Sequence, residues 1–246
     1  MHSNGRERFI ISVGGSLIVP KDGIDIAFLR KFSDFIRHQL ELHPHRQFFL
    51  VTGGGQTARE YQKAGREAVG HELPDDDLDW LGIHSSRLNG HLMRTVFRDI
   101  AHSVIIKDFD IIRKVTEPVI VGAGWKPGWS TDYIATLFAE DYQVKKVINL
   151  SNIKQVYDKD PKQFADAVPK DKMSWSEFRE LVGDEWSPGL NAPFDPIAAK
   201  KAAELGLEVA VMNGQDIENL ENYLEDKPFI GTVIALHPVA RQQRVN

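Results

Sequence analysis

One unit recurs along this chain and limits its fold more than any other feature. A short apolar run rich in β-branched residues is followed by a glycine-rich or polar turn and then by a helical pattern. FIISV at 9–13 leads to Gly14-Gly15-Ser16, with a helix predicted over 25–42. FFLVT at 48–52 leads to Gly53-Gly54-Gly55 and a helix from 56 toward 68. VIV at 119–121 leads to a polar loop and a helix from Asp132, and VINL at 147–150 opens into SNIKQVYDKDP. VAVM at 209–212 ends at Asn213-Gly214, ahead of a helix over 217–224. Continuous apolar strands are those buried on both faces, and alternating them with amphipathic helices gives a mainly parallel sheet. The expected fold is α/β, a three-layer αβα sandwich with a mainly parallel central sheet. Ligands of such sheets sit beyond the carboxyl ends of the strands, where each of these turns lies.

Two stretches interrupt the pattern. HELPDDDLD at 71–79 reads as an acidic turn before a long helix over 80–101. Residues 157–171 form a polar, proline-marked excursion, after which Ser174 and Glu177 have capping-box spacing. The expectation is a single domain, 1–246, with lobes of about 1–150 and 151–246 and no flexible linker between them.

The 246 residues are enough for a core that needs no metal or disulfide. The absence of cysteine excludes disulfides, thiolate catalysis and Cys-ligated zinc or iron–sulfur sites, and fits a reducing compartment. The nine histidines show no tight metal spacing. A net charge of −5 gives no general nucleic-acid footprint, though a local anion site is allowed. The apolar run near the N-terminus is too short for a signal peptide or a membrane span. A soluble cytoplasmic protein with no nucleic-acid or membrane partner is expected.

A strand that ends in glycines and enters a helix is a ready anion site, because backbone amides and the helix dipole favour phosphate. A tight turn, however, needs glycine whether or not anything binds, so VGGS alone leaves both readings open. TGGGQTAR is more telling: three consecutive glycines are costly in chain entropy, and Arg59 lies one helical turn on, where it forks onto a phosphate or is simply solvated. The triphosphate-binding loop G-x-x-x-x-G-K-[ST] is absent. VGAGWKPG resembles a dinucleotide fingerprint with one residue too many, which argues against nicotinamide binding. In FDPIAAKKAAELG, Asp195 is fully explained as a helix cap ahead of Pro196. Lys200, one turn in, faces either solvent or a ligand at that helix N-terminus.

Taken in order, these segments resemble the amino-acid-kinase family, and within it the archaeal-type uridylate kinases, over nearly the whole chain. ISVGGSLIVP and VTGGGQTAREY look like two phosphate loops, and DLDWLGIHSSRLNGHLM like a helix that begins with a nucleotide-contacting aspartate. PGWSTDYIATLFAE resembles an acceptor-nucleotide loop with its helix, NLSNIKQVYDKDP an adenine-side loop, and FDPIAAKKAAELGLEVAVMNG the C-terminal helix and strand.

The resemblance implies in-line transfer of the γ-phosphoryl of ATP to UMP, with Mg²⁺ carried on the phosphates and few protein ligands of its own. It places Gly15, Ser16, Gly55 and Arg59 at the ATP phosphates, and Ser151, Tyr157 and Asp160 along the ATP base and ribose. Gly54, Asp79 (at the ribose), Trp125, Lys126, Pro127, Gly128, Trp129, Ser130 and Thr131 fall to UMP. Lys200, Arg59 and Asp195 are the expected catalytic set, with Asp195 orienting the helix that carries Lys200. The resemblance also implies a homo-oligomer, commonly a hexamer. The 80–101 helix, with Leu81, Leu88, Leu92 and Val96, is either an interface or a core stripe. Three departures stand out. Ser12 occupies a position where many members carry lysine, Ile153-Lys154-Gln155-Val156-Tyr157 replaces Val-Asp-Gly-Val-Tyr, and WSPGLNAP at 186–193 replaces a serine-rich link. A kinase for another acceptor, or a non-catalytic nucleotide or oxyanion binder, remains the alternative on this fold.

Overall fold

Successive residues of a strand point to opposite faces of its sheet, so a continuous apolar strand feeds two cores at once. The computed structural model, which describes residues 5–161, 163–185 and 192–237, shows this directly. Phe9, Ile11 and Val13 enter one buried cluster and Ile10 the other; Phe48 and Leu50 oppose Phe49 and Val51 in the same way. Ala210 and Met212 likewise oppose Val209 and Val211.

The elements run β1 (Glu7–Val13), α1 (Gly15–Ile18), α2 (Ile26–Leu42), β2 (Arg46–Thr52), α3 (Gly55–Val69), α4 (Asp75–Val96), β3 (Val119–Gly122), α5 (Thr131–Asp141) and β4 (Lys146–Ser151). There follow β5 (Val156–Tyr157), β6 (Pro169–Lys170), β7 (Lys172–Ser174), α6 (Trp175–Val182), α7 (Pro196–Glu204), β8 (Glu208–Asn213), α8 (Ile217–Leu224) and β9 (Thr232–Ala235). Seven strands form one sheet in the order β3-β2-β1-β4-β8-β9-β7. All neighbours are parallel except β8 and β9. Helices α2 and α8 pack on one face, and α5, α6 and α7 on the other. The expected three-layer α/β sandwich is observed.

Strand order locates the ligand crevice. From β1 the chain steps outward to β2 and β3, then returns to β4 on β1's other side and continues to β8. The reversal lies between β1 and β4, and a crevice opens at such a switch point.

Two expectations need correction. The long helix begins at Asp75, not at 80, because Asp75, Asp76 and Asp77 in its first turn complement the helix dipole. It ends at Val96, not near 101, because the chain then runs beside β3: His102 N donates to Val119 O (2.8 Å) and Ile106 N to Val121 O (2.8 Å). The 157–171 excursion contains the two-stranded pairing of β5 with β6. Strands β7 and β9 escaped the sequence reading, being three and four residues long. Of the 186–193 link, residues 186–191 lie outside the described residues. No helix among the described residues is long and apolar enough to cross a membrane.

Candidate functional site

The turns after β1 and β2 press against each other. Gly53 N donates to Val13 O (3.1 Å), and Gln56 N to Val19 O (2.9 Å). A methyl group on Gly15 would collide with the Gly55 backbone and stand 2.7 Å from the Gly53 carbonyl carbon. Gly55 also has φ +64°, a region that L side chains rarely adopt. Close backbone approach therefore accounts for Gly15, Gly53 and Gly55 in full. The approach also brings two loops to the head of the crevice, with Ser16 and Gly54 half-buried beside it.

Helix α4 presents a polar side to these loops. The Asn89 amide donates to Gly53 O (2.8 Å) and Gly54 O (3.2 Å). The Ser86 hydroxyl donates to Thr52 O (2.7 Å) and accepts from Gly124 N (2.9 Å), joining the β2 and β3 turns. Arg87 donates from Nε to Gly124 O (3.0 Å) and from Nη2 to Trp125 O (3.1 Å). Asp79, in the first turns of the helix, accepts from Gly128 N at 2.6 Å. Burial pushes the Asp79 carboxyl up, against the pull of that bond.

The β3–α5 loop carries the two tryptophans. Trp125 and Trp129 meet edge to face at 4.9 Å, and the row extends to Phe109 on one side (5.6 Å) and Tyr133 on the other (4.8 Å). The Lys126 ammonium lies 3.8 Å from the Trp125 ring centre and 5.6 Å from that of Trp129, paired with Asp110 at 3.6 Å. The rings therefore brace the proline-glycine turn of Pro127 and Gly128. Ser130 caps α5, its hydroxyl accepting from Tyr133 N (3.1 Å), and Thr131 is the first residue of that helix.

Beneath this loop two carboxylates meet. Asp132 accepts from the Ser12 hydroxyl (3.0 Å) and from Asp195 N (3.1 Å), which draws the N-terminal ends of α5 and α7 together at β1. Asp195 caps α7 through Oδ1, accepting from Ala198 N (2.8 Å). Its Oδ2 is buried with no well-formed hydrogen bond, although the nearby Ser130 hydroxyl pulls the Asp195 pKa down. Burial raises both carboxyls and takes Asp132 to about 7, where repulsion from Asp195 adds to the effect.

Across the crevice, the Ser151 hydroxyl accepts from Ile153 N (3.1 Å). Gln155 ties the loop to Asp171 (3.1 Å) and to Gly231 O (3.3 Å), and Val156 N donates to Thr232 Oγ1 (2.8 Å). These bonds fix the loop ahead of Tyr157 on β5. Asp160 is exposed and accepts from the Gln163 amide (3.1 Å). Lys154 is exposed.

The two expected cations stand at the surface. Arg59 is exposed and donates to Gln56 of its own helix (3.0 Å). Lys200 is exposed on α7; Asp184, whose pKa is held down chiefly by Arg179, also senses its charge. Sequence reasoning brought the glycine loops, Asp79, the 125–131 loop and Asp195 to one edge of the sheet. It assigned no role to Asp132, Ser86, Arg87 or Asn89. The signal was present in SSRLN, a polar run at helical spacing where a core-facing stripe would be apolar.

The profile of the amino acid kinase family matches residues 7–213. The chain belongs to that family. Among its relatives, the uridylate kinase of Methanothermobacter thermautotrophicus is 31% identical over 230 residues, 92% of this chain and 98% of that protein. The uridylate kinase of Sulfolobus acidocaldarius is 34% identical over 192 residues, 75% of this chain and 82% of its own length. The crystal structure of uridylate kinase from Archaeoglobus fulgidus superposes with a TM-score of 0.77 at 30% identity, covering 93% of this chain and all of that one.

Proposed function

We propose that this protein transfers the γ-phosphoryl group of ATP to UMP, giving ADP and UDP. The observation that carries this reading is the meeting of two glycine loops and the braced 124–130 loop at the switch point of the sheet. Uridylate kinases about 30% identical align along nearly the whole chain. Phosphoryl transfer asks little covalent chemistry of a protein: it needs the reactants in line and charge neutralised around the moving group. Gly15, Ser16, Gly55 and Arg59 face the ATP phosphates, and Ser151, Tyr157 and Asp160 its base and ribose. Gly54, Asp79 and the residues from Trp125 to Thr131 take UMP, with hydroxyls from Ser130 and Thr131. Lys200 supplies positive charge to the transferring group, from a helix that Asp195 orients.

Among the described residues no group of three or more His, Asp or Glu side chains is arranged to hold a metal ion. A Mg²⁺ carried by nucleotide phosphates needs few protein ligands, and the buried Oδ2 of Asp195, which lacks a well-formed hydrogen bond, is a carboxylate oxygen of the kind it would take. Bound in that way, the ion neutralises phosphate charge. Assembly into a homo-oligomer, the hexamer implied by the family, draws support from exposed Ile24, Ile26 and Leu88 on and beside α2 and α4. Sedimentation velocity checks it, and a monomer at micromolar concentration removes it.

A coupled ADP-release assay with ATP, Mg²⁺ and a panel of UMP, CMP, dUMP, carbamate and acetate tests the activity. Turnover is expected with UMP above all others. Turnover of CMP or a carboxylate with none of UMP overturns the acceptor assignment, and no turnover with any acceptor overturns the enzyme.

A further inference from the structure

Loops usually satisfy part of their backbone internally, through turns. The segment 124–129 has one such turn, at Pro127-Gly128, where Gly128 takes φ +79°. Among the described residues, the well-formed hydrogen bonds of its backbone run to side chains of α4. Ser86 takes Gly124 N, Arg87 takes the carbonyls of Gly124 and Trp125, and Asp79 takes Gly128 N. Arg87 is the one charged donor among these clamps and spans two consecutive carbonyls with a planar fork that is pre-organised for the task, as a lysine ammonium is not. Its guanidinium also stands 6.0 Å from the Trp80 ring centre. Burial lowers its pKa, but an arginine stays charged across the working pH range.

We infer that Arg87 is a positioning residue for the acceptor nucleotide. It holds the start of the 124–130 loop at the height from which Gly128, Trp129 and Ser130 meet the substrate, and it does so without touching the substrate itself. Asp79 fixes the far end, so the helix acts as a two-point clamp and the loop side chains between are free to serve recognition. The inference rests on the UMP kinase reading for its kinetic half; the clamp itself does not depend on which acceptor binds.

Arg87→Gln and Arg87→Lys test it in the full-length protein. Without the fork, the loop must be ordered at the moment the acceptor binds. The KM for UMP then rises about tenfold or more in Arg87→Gln, with less change in Arg87→Lys, while kcat and the KM for ATP stay within about threefold. Hydrogen exchange followed by mass spectrometry, without nucleotides, should show faster exchange in peptides covering 124–130 and unchanged exchange over β1 and β4. An unchanged KM for UMP in Arg87→Gln overturns the positioning role. Unchanged exchange in 124–130 overturns the clamp even if the wild-type protein phosphorylates no UMP, so the two readings fail separately. A kcat that falls as much as kcat/KM, with slowed ATP use, overturns the inference in favour of a catalytic or general structural role.

Discussion

Replacing Asp132 by Asn is expected to stabilise the protein above neutral pH, although it alters a residue at the centre of the site. Asp132 is hydrogen-bonded, but its carboxyl lies beside that of Asp195, and burial together with this repulsion lifts its pKa from the ordinary 3.8 to about 7. A folded-state pKa above the unfolded one means that folding favours the protonated form. The contribution is whole below pH 3.8 and is lost as pH rises through about 7. At 1.36 kcal/mol for each pH unit, the interval amounts to about 4 kcal/mol at most. Asparagine cannot ionise. Its Oδ1 can accept from Asp195 N, and its Nδ2 can donate to the Ser12 hydroxyl, which then accepts instead of donating. Urea unfolding of both proteins from pH 4 to pH 8 measures the difference. The variant should gain on the wild type steadily between pH 4 and 7 and hold a constant advantage above. An advantage that is absent or independent of pH refutes the reasoning, since a loss of hydrogen bonding alone would not follow the carboxyl titration.

Gly15→Ala should cost several kcal/mol of stability, about 3 or more, because the added methyl meets backbone that cannot give way; a thermal melt within 2 °C of wild type refutes the contact. Lys200→Ala should lower kcat at least about tenfold with little change in UMP affinity, checked by steady-state kinetics beside calorimetric UMP binding. Equal kcat would remove Lys200 from the transfer step. UMP should change the tryptophan fluorescence, and Trp129→Phe should abolish that change while Trp125→Phe, held under Lys126 and against Phe109, should keep it. The opposite pattern would put Trp125 at the base.

The sheet was legible because its strands are fully buried: a run such as FFLVT has no polar alternation and can only lie between two layers. β9 was not, because TVIA carries the same signal in four residues beyond the last recognised helix, and its antiparallel pairing with β8 is a tertiary fact. The helix start at Asp75 was misread for a physical reason. Three aspartates look like solvated turn, yet at a helix N-terminus they are favourable. The glycine loops were found for the anion they invite, while the structure adds that Gly15, Gly53 and Gly55 are also required by contact between two backbones. No sequence pattern marks that contact, because its partners lie 38 and 40 positions apart. Asp132 was read only as a helix start, since nothing local reveals that Ser12 and Asp195 converge on it.

Helix α4 ties together the two loops that follow β2 and β3. Ser86 donates to Thr52 O, at the end of β2, and accepts from Gly124 N, just after β3, so one hydroxyl closes a bridge between the second glycine loop and the loop with the tryptophans. Asn89 adds two bonds to Gly53 and Gly54, and Arg87 adds two to Gly124 and Trp125. A helix is stiff over this distance, so displacement of one loop is felt by the other through three residues within a single turn. In-line transfer demands that kind of coupling: donor phosphate and acceptor phosphate must be fixed relative to each other to within a fraction of an ångström, and a shared rigid element does this better than two independently ordered loops. The polar face of α4 gives up apolar burial at Ser86 and Asn89, and the loss is offset by the hydrogen bonds that the Ser86 hydroxyl and the Asn89 amide nitrogen make to loop backbone.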